Sequence, residues 1–450
     1  MKSRVCLFFI FLFSLNCYAL DMNTALSSAY ETNDVLKSHR EKTKANDEQI
    51  MQSFSRWLPS VTLGAQKRDL RTDSAGATTK TKGTTKSLTV SQNIFRGGAD
   101  IAAMKIAKAS IEQSRAELVS KEQEILMSVV DTYMKTLQID EEHKIAEEQL
   151  VDAKLLLQSA ERRFQAGDAT KTDVAQANAS LAESLSSMIH ASGNFEILKA
   201  KFREITGMDP HKLILPSANV ILPKTLDTTI ELALRNSPEL ISSRSNDKAA
   251  KNRVTQVRGE NLMPSVQFQY QIQDNRDDKR MSAGGFAQSA LNKQAVVSLN
   301  IPLFDGGASW SKYRQAKRTY QQSKYSLAGA RQNVITFTTQ VWREFEYKKS
   351  IYKARKEEVN ASRIAYEGTK KEEKAGIRSI GDVIVARSNY YNAYRKMLNS
   401  RTEYISARYK IAASIGECTA KHLGLDVKLY DPIKNYNTIR MQLIGSYNPD

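Results

Sequence analysis

The sequence predicts a mainly α-helical chain of two tandem repeats, each holding a pair of β-strands and a long antiparallel helical hairpin. The chain of 450 residues has only 9 Pro and 20 Gly, whereas an average protein has roughly 5% Pro and 7% Gly. Residues 60–209 and 303–431 contain no proline at all. Because proline and glycine punctuate turns, their scarcity indicates long uninterrupted helices.

The repeat itself is visible as motifs that return at a fixed distance. The string Asn93–Gly98 (NIFRGG) returns as Pro302–Gly307 (PLFDGG), so that Phe304 lies 209 residues after Phe95. Two further pairs share this offset: Ala166-Gly167 with Ala375-Gly376, and Asp173-Val174 with Asp382-Val383. Several separated marks at one offset indicate an internal structural repeat.

Residues 1–19 are predicted to be a secretory signal peptide. Lys2 and Arg4 precede an apolar run at 5–15, and the small residue Ala19 marks the expected cleavage site. The alternative is a membrane anchor, but the apolar run is shorter than the roughly 20 residues that a span needs. Cleavage leaves Cys418 as the only cysteine, so the mature chain forms no intrachain disulfide.

The formal charge of +17 falls to +15 in the mature chain, once Lys2 and Arg4 are removed. A basic balance is typical of nucleic-acid binding. Here, however, basic residues are scattered among glutamates, as in Glu161-Arg162-Arg163, without a nucleic-acid recognition motif. Solvated helix faces are favoured, and no nucleic-acid partner is expected.

Catalysis finds no support in the sequence. The five histidines, at 39, 143, 190, 211 and 422, include no pair at metal-ligand spacing. The double glycines Gly97-Gly98 and Gly306-Gly307 lack the lysine of a phosphate-binding loop. We therefore expect neither an enzyme nor a metal or cofactor site. These four glycines are instead predicted to provide backbone freedom where a strand turns into a helix.

The first repeat is predicted over 20–215 and the second over 227–416, with a linker at 216–226 and a C-terminal extension at 417–450. Alternation of apolar and polar residues predicts the strands, as in 265–273. The first repeat is expected to contain helix 21–57, strands 60–70 and 87–96, and helices 98–165 and 171–206. The second is expected to contain helix 227–260, strands 265–273 and 295–304, and helices 307–374 and 379–415.

The segments between the paired strands, 71–86 and 274–293, are polar, and their composition predicts loops. The two long helices, 98–165 and 307–374, would each extend about 100 Å at a rise of 1.5 Å per residue. Each ends at a glycine, Gly167 or Gly376, before a second helix returns.

Amphipathic strands of this length are typical of transmembrane β-barrels. A single chain with four strands has two unpaired edges, which hydrocarbon does not tolerate, so other subunits must close the barrel. Two chains would give eight strands with a filled interior, and three would give twelve strands with room for a channel. The alternative is a purely structural periplasmic coiled coil, which leaves the strands unexplained.

The sequence resembles the TolC-like outer membrane efflux and secretion channels over nearly all of the mature chain. The resemblance rests on the repeat, the strand openings Leu58-Pro59-Ser60 and Met263-Pro264-Ser265, the two double-glycine junctions, and the string Arg163–Val174 (RFQAGDATKTDV). It implies a homotrimer with one 12-stranded barrel in outer membrane lipid, continued by a periplasmic α-helical barrel. The string at 170–177 (TKTDVAQA) looks like members that serve type I protein secretion, although multidrug efflux members are similar.

The resemblance also implies partners and site residues. The partners are a periplasmic adaptor (membrane fusion) protein and an inner membrane ABC transporter or proton-driven pump. The adaptor would contact the hairpin tips, which are Ala166, Gly167, Asp168, Ala375, Gly376 and Ile377. A periplasmic gate would be formed by Arg378, Thr172, Asp173 and Asp382.

The gate match departs from the family at two positions. Glu373 occupies the position at which the family has a tyrosine. Its carboxylate would repel Asp173 rather than hold it. Val385 occupies a position at which the family has an acidic residue that narrows the pore. Asp382 is then the remaining candidate for a ring of three carboxylates, and an Arg378–Asp173 pair would be the principal tie.

Overall fold

A computed structural model describes residues 20–74, 77–216, 221–277, 289–440 and 442–445. The predicted signal peptide lies outside the described residues, as do 217–220 of the predicted linker and 278–288 of the second predicted loop. The chain forms two compact units. One consists of the N-terminal residues up to Lys37, Lys121–Arg235 and Ile335–Leu429. The other consists of Ser38–Ser120, Asn236–Val334 and the residues from Tyr430 onward.

The predicted helix at 21–57 is divided into shorter elements: α1 (Met22–Thr32), α2 (Asp34–Asp47), α3 (Gln49–Phe54) and a 3₁₀ turn at Ser55–Trp57. The first break is at Asn33, whose backbone is extended. Its side-chain oxygen accepts a hydrogen bond from the Leu36 N–H at 3.1 Å. Such a bond competes with helical pairing, so the chain restarts rather than continuing one helix.

The predicted helix at 227–260 is likewise two helices, α6 (Leu226–Asn236) and α7 (Pro238–Leu262). Pro238 causes the break, because proline has no N–H for the preceding helix and suits the first turn of a new one. The remaining helices are α4 (Ala99–Ala166), α5 (Lys171–Thr206), α8 (Ala308–Lys374), α9 (Ile380–Ser414) and, in the C-terminal extension, α10 (Pro432–Ile439). None of the described helices is long and apolar enough to cross a membrane.

Four strands form one antiparallel sheet in the order β1 (Ser60–Ser74), β2 (Ala77–Arg96), β3 (Ser265–Asp277) and β4 (Ser289–Asn300). The strands are longer than predicted at one end of the sheet. The loop predictions for 71–86 and 274–293 were wrong, since the described parts of both segments continue the ladders.

Cross-strand pairing explains this difference. Asp69 lies opposite Lys82 in the ladder, and their charged groups are 3.2 Å apart. Threonines, which favour strands, fill much of the same segment. In the other direction β4 ends at Asn300 instead of the predicted 304, because Pro302 cannot donate to a ladder.

The unit that contains Lys121–Arg235 and Ile335–Leu429, called the helical unit below, is held by small apolar clusters and one buried tyrosine. Tyr133 of α4 is fully buried, and its hydroxyl donates to the Leu20 carbonyl at 2.8 Å and accepts from the Ile214 N–H at 3.1 Å. Helix α5 packs against both α1 and α9. An apolar cluster joins Val341 and Trp342 of α8 to Ile411 of α9. These contacts join α4 and α5 to the N-terminal segment, and α9 to α5 and α8.

At the turn from β2 into α4, two glycines permit a direct backbone contact. Gly97 has a φ of 57°, and a Cβ there would lie 2.3 Å from the Cβ of Met263. A Cβ on Gly259 of α7 would lie 2.7 Å from the Gly97 carbonyl oxygen. The corresponding Gly306 also has a positive φ, 69°, but a Cβ there would contact nothing among the described residues. Sequence reasoning identified the turn glycines but missed Gly259.

We expect Gly259→Ala to destabilise the folded protein, because the added methyl group meets backbone atoms that cannot move independently. Overpacking of this kind costs about 1–3 kcal/mol. Gly193→Ala is the control, because Gly193 lies in α5 with open space around it, and alanine there should be neutral or stabilising. Urea unfolding midpoints of the purified proteins measure the effect. Equal midpoints for Gly259→Ala and the wild type would show that the contact is not tight.

Candidate functional site

Near the end where the strands join the helices, one face of the sheet is apolar across all four strands, whereas farther along the same face carries charged residues such as Lys67, Lys86 and Lys293. The register aligns Val61 of β1 with Val90 of β2, and Val90 with Tyr270 of β3. Since paired residues point to the same side, the rows form a continuous surface. Its members are Val61, Leu63, Leu88, Val90, Val266, Phe268, Tyr270, Ile272, Val297 and Leu299. Leu63 is 84% exposed and Leu299 is 63% exposed, so the protomer does not cover this face.

The opposite face is polar and almost free of charge. The rows on that side pair Thr62 with Thr89, Thr89 with Gln271, and Gln271 with Gln294. Other members of this face are Ser60, Ser87, Ser91, Gln267, Gln269, Gln273, Asn292 and Ser298. A sheet with one apolar and one polar face separates an apolar medium from water.

Both edges of the sheet are open in the protomer. Among the described strands, β1 pairs only with β2, and β4 pairs only with β3. The outer N–H and C=O groups of these edge strands therefore have no ladder partner. Such edges recruit another strand.

The first hairpin turns at Ala166, Gly167 and Asp168. Ala166 ends α4, and Gly167 adopts a left-handed conformation with a φ of 85°. Its N–H donates to the Phe164 carbonyl at 3.1 Å, and the Asp168 N–H donates to the Arg163 carbonyl at 2.8 Å. These bonds satisfy the last carbonyls of the helix.

The second hairpin repeats this turn at Ala375, Gly376 and Ile377. Gly376 has a φ of 76°, and the N–H of Ile377 donates to the Glu372 carbonyl at 2.9 Å. The apolar side chain of Ile377 is 74% exposed. Both turns therefore present exposed surfaces that other molecules can contact.

Asp173 and Asp382, two predicted gate residues, have equivalent structural roles. Asp173 accepts from the Thr170 N–H at 2.8 Å, and the Thr170 hydroxyl accepts from the Asp173 N–H at 3.2 Å. Asp382 forms the same reciprocal pair with Ser379, at 3.0 and 3.1 Å. These are capping boxes that begin α5 and α9. Thr172 is exposed on the first turn of α5.

The capping bonds lower the pKa values of both carboxyl groups. The backbone N–H and then the hydroxyl of Thr170 lower the pKa of Asp173. The hydroxyl and then the backbone N–H of Ser379 lower the pKa of Asp382. Both side chains therefore carry negative charge at neutral pH, as a gate of carboxylates requires.

The predicted pair between Arg378 and Asp173 is not formed within the protomer. Arg378 instead pairs with Glu372, with its Nε 3.1 Å from the carboxylate oxygen Oε2. Glu373, which was expected to repel Asp173, is buried and forms an ion pair with Arg163 of α4. Because these partners are 210 residues apart in sequence, no local pattern could have identified the pair.

The carboxylate of Asp152 in α4 is the centre of a second group of polar contacts that the sequence did not reveal. The hydroxyls of Tyr366 and Tyr391 donate to its Oδ2 at 2.9 and 3.1 Å. The Nζ of Lys370 lies 3.3 Å from its Oδ1. Burial is the main cause that raises the pKa values of both tyrosines, so they remain protonated donors. Helices α8 and α9 are thus bonded to α4 through one carboxylate.

Comparisons with known proteins agree with this architecture. The family described as outer membrane efflux protein matches residues 25–208 and 229–417. The outer membrane efflux protein BepC of Brucella suis is 25% identical over 95% of this chain and 92% of its own length. The alkaline protease secretion protein AprF of Pseudomonas aeruginosa is 22% identical over 67% of this chain and 63% of its own length.

Solved structures show the same fold. The Campylobacter jejuni CmeC outer membrane channel superposes with a TM-score of 0.76, at 18% identity, over 94% of this chain and 90% of that one. The predicted fold class, two repeats with strand pairs and long helical hairpins, is confirmed. The family match covers both repeats, and the chain therefore belongs to the outer membrane efflux protein family and acts as an outer membrane channel.

Proposed function

We propose that three copies of this chain close one 12-stranded barrel in outer membrane lipid and that their helical hairpins continue it as a tunnel into the periplasm. The observation that carries this proposal is the amphipathic four-stranded sheet with two open edges. In hydrocarbon, each unpaired backbone group costs several kcal/mol, so the edges must pair. Three copies close a barrel wide enough for a channel, whereas two copies close one that side chains fill.

The two faces of the sheet support this orientation. Exposed apolar side chains such as Leu63 and Leu299 would face lipid. The hydroxyl and amide side chains of the other face, among them Thr89 and Gln271, would line a water-filled pore. Such a lining hydrates a passing solute and favours neither sign of charge.

Within the channel class, we propose type I protein secretion, with an adaptor protein and an inner membrane ABC transporter as partners. The string at 170–177 (TKTDVAQA) supports this choice through its resemblance to secretion members, and AprF is named for protease secretion. The second candidate is drug efflux with a proton-driven pump; efflux in general is favoured by the name of BepC, an outer membrane efflux protein. The chain itself is proposed to carry no catalytic step.

A strain that lacks this chain distinguishes the two candidates. Secretion predicts that specific proteins disappear from the medium and return on complementation, while drug accumulation is unchanged. Increased accumulation of drugs with an unchanged set of secreted proteins would contradict the choice of secretion and favour efflux.

We propose that the hairpin tips, at Ala166–Asp168 and Ala375–Ile377, contact the adaptor. Replacing Gly167 and Gly376 with Leu should abolish export while the assembly still inserts. A side chain at a positive φ strains the turn by about 1–2 kcal/mol, and a bulky group alters the contact surface. A Cβ added at either glycine would have no neighbouring atom within 4 Å in the protomer. Export assays and membrane extraction measure the two effects, with Gly193→Leu as the control. If export survives both replacements, the tips are only turns.

We propose that Arg378, Thr172, Asp173 and a ring of three Asp382 side chains form the periplasmic gate. Arg378→Ser should increase the conductance of the purified channel in planar bilayers, because Arg378 is proposed to tie neighbouring hairpins of the assembly, a contact that the protomer alone, where Arg378 pairs with Glu372, does not form. Asp173→Ala should do the same. An exposed ion pair contributes at most about 1 kcal/mol, and threefold symmetry multiplies that contribution.

The capping role of Asp173 requires its own control. Thr170→Ala removes the cap, at a cost of about 1 kcal/mol, but keeps the Asp173 carboxylate. A gate at Asp173 predicts low conductance for Thr170→Ala and high conductance for Asp173→Ala. Equal increases in both variants would assign the effect to helix fraying. Unchanged conductance in Arg378→Ser and Asp173→Ala would exclude this gate.

A further inference from the structure

One buried cation in the helical unit has no acidic partner. Among the described residues, three charged side chains are buried: Asp47, Glu373 and Arg387. The carboxylate of Asp47 bonds to Arg115 and Asn435, and Glu373 pairs with Arg163. Arg387 of α9 is only 3% exposed and forms no ion pair within the described part of the chain.

The guanidinium of Arg387 is also incompletely hydrogen-bonded. Its Nη2 donates to the hydroxyl of Ser180, but Nε and Nη1 have no acceptor among the described residues. Buried polar groups in proteins are normally satisfied, and a buried charge without a partner is costly. An acceptor that is not part of the protomer would supply a partner for at least one of these nitrogens.

The side chain of Arg387 lines a cavity of about 480 Å³ between α4, α8 and α9. Four basic residues line it, namely Arg162, Lys370, Lys374 and Arg387, together with the acidic residues Asp152 and Glu373. A volume of this size accommodates a small organic ligand.

The two acidic residues are already neutralised by the protein. Asp152 binds Tyr366, Tyr391 and Lys370, and Glu373 binds Arg163. Arg162, Lys374 and Arg387 make no ion pair among the described residues, so the cavity has an unbalanced positive charge.

We propose that this cavity binds a small oxyanion, a carboxylate or a phosphate, at the incompletely bonded guanidinium of Arg387. The N–H groups that lie parallel in a guanidinium are those of Nη1 with Nη2 and those of Nε with Nη2, so an anion would bond Nη1 at the end of the group through a charge-assisted hydrogen bond. Arg162 and Lys374, both exposed, supply further positive charge at the cavity. Because α4, α8 and α9 all contribute lining residues, a bound anion connects the three helices. This inference does not depend on the exported substrate or on the gate.

Calorimetric titration of the purified full-length channel in detergent tests the site, with citrate and inorganic phosphate as probes at constant ionic strength. The wild type should bind at least one of them saturably. Arg387→Gln should bind about tenfold more weakly or not at all, since a charge-assisted hydrogen bond and the positive charge are lost. Lys374→Gln should also weaken binding. Lys396→Gln, an exposed position on α9 outside the cavity, is the matched control and should bind as the wild type does.

Preference for citrate would identify a carboxylate site, and preference for phosphate would identify a phosphate site. The proposal is overturned if the wild type binds neither anion, as expected if an acidic side chain of another subunit occupies the cavity. It is also overturned if Arg387→Gln binds as tightly as the wild type. Should Arg387→Gln fail to assemble, Lys374→Gln and Arg162→Gln decide the matter, and unchanged affinity in both would contradict the site.

Discussion

The constraint on which this structure depends is the hydrogen bonding of the edge strands β1 and β4. Each strand pairs on one side only within the protomer. In water such an edge is tolerated, but in a bilayer its free N–H and C=O groups have no alternative partner. Because one face of the sheet is apolar and the other polar, the sheet is suited to a position between lipid and water. Assembly of several chains is therefore a requirement of backbone hydrogen bonding and not an added feature.

The proposed gate sets a different requirement for the helical part, since its helices would have to be stable yet able to separate at one end. The turns at Gly167 and Gly376 use the same glycine geometry and the same capping boxes. The contacts between the hairpins combine an apolar cluster of Ala160, Ala177 and Ile380 with polar contacts, namely Arg163 with Glu373 and Asp152 with two tyrosines. Polar contacts of this kind help to specify one arrangement of the packed helices.

Local patterns predicted those features that depend on local chemistry. The double-glycine corners, the glycine turns and the alternating strands follow from backbone preferences at neighbouring positions. The strand extensions at 71–86 were missed because their composition is that of a loop, and only the ladder partner, as in Asp69 with Lys82, reveals a strand. The contacts of Gly259, Glu373 and Arg387 were likewise missed, because they join residues far apart in sequence.

The number of chains in the assembly tests the central claim most directly. Native mass spectrometry of the channel extracted from outer membranes in detergent measures it without labels or substitutions. The account predicts three chains, which supply twelve strands and leave no edge unpaired. An assembly of two chains would close eight strands around a filled interior, and a stable monomer would leave both edges open. Either result would contradict the proposal that edge pairing among three copies forms the pore.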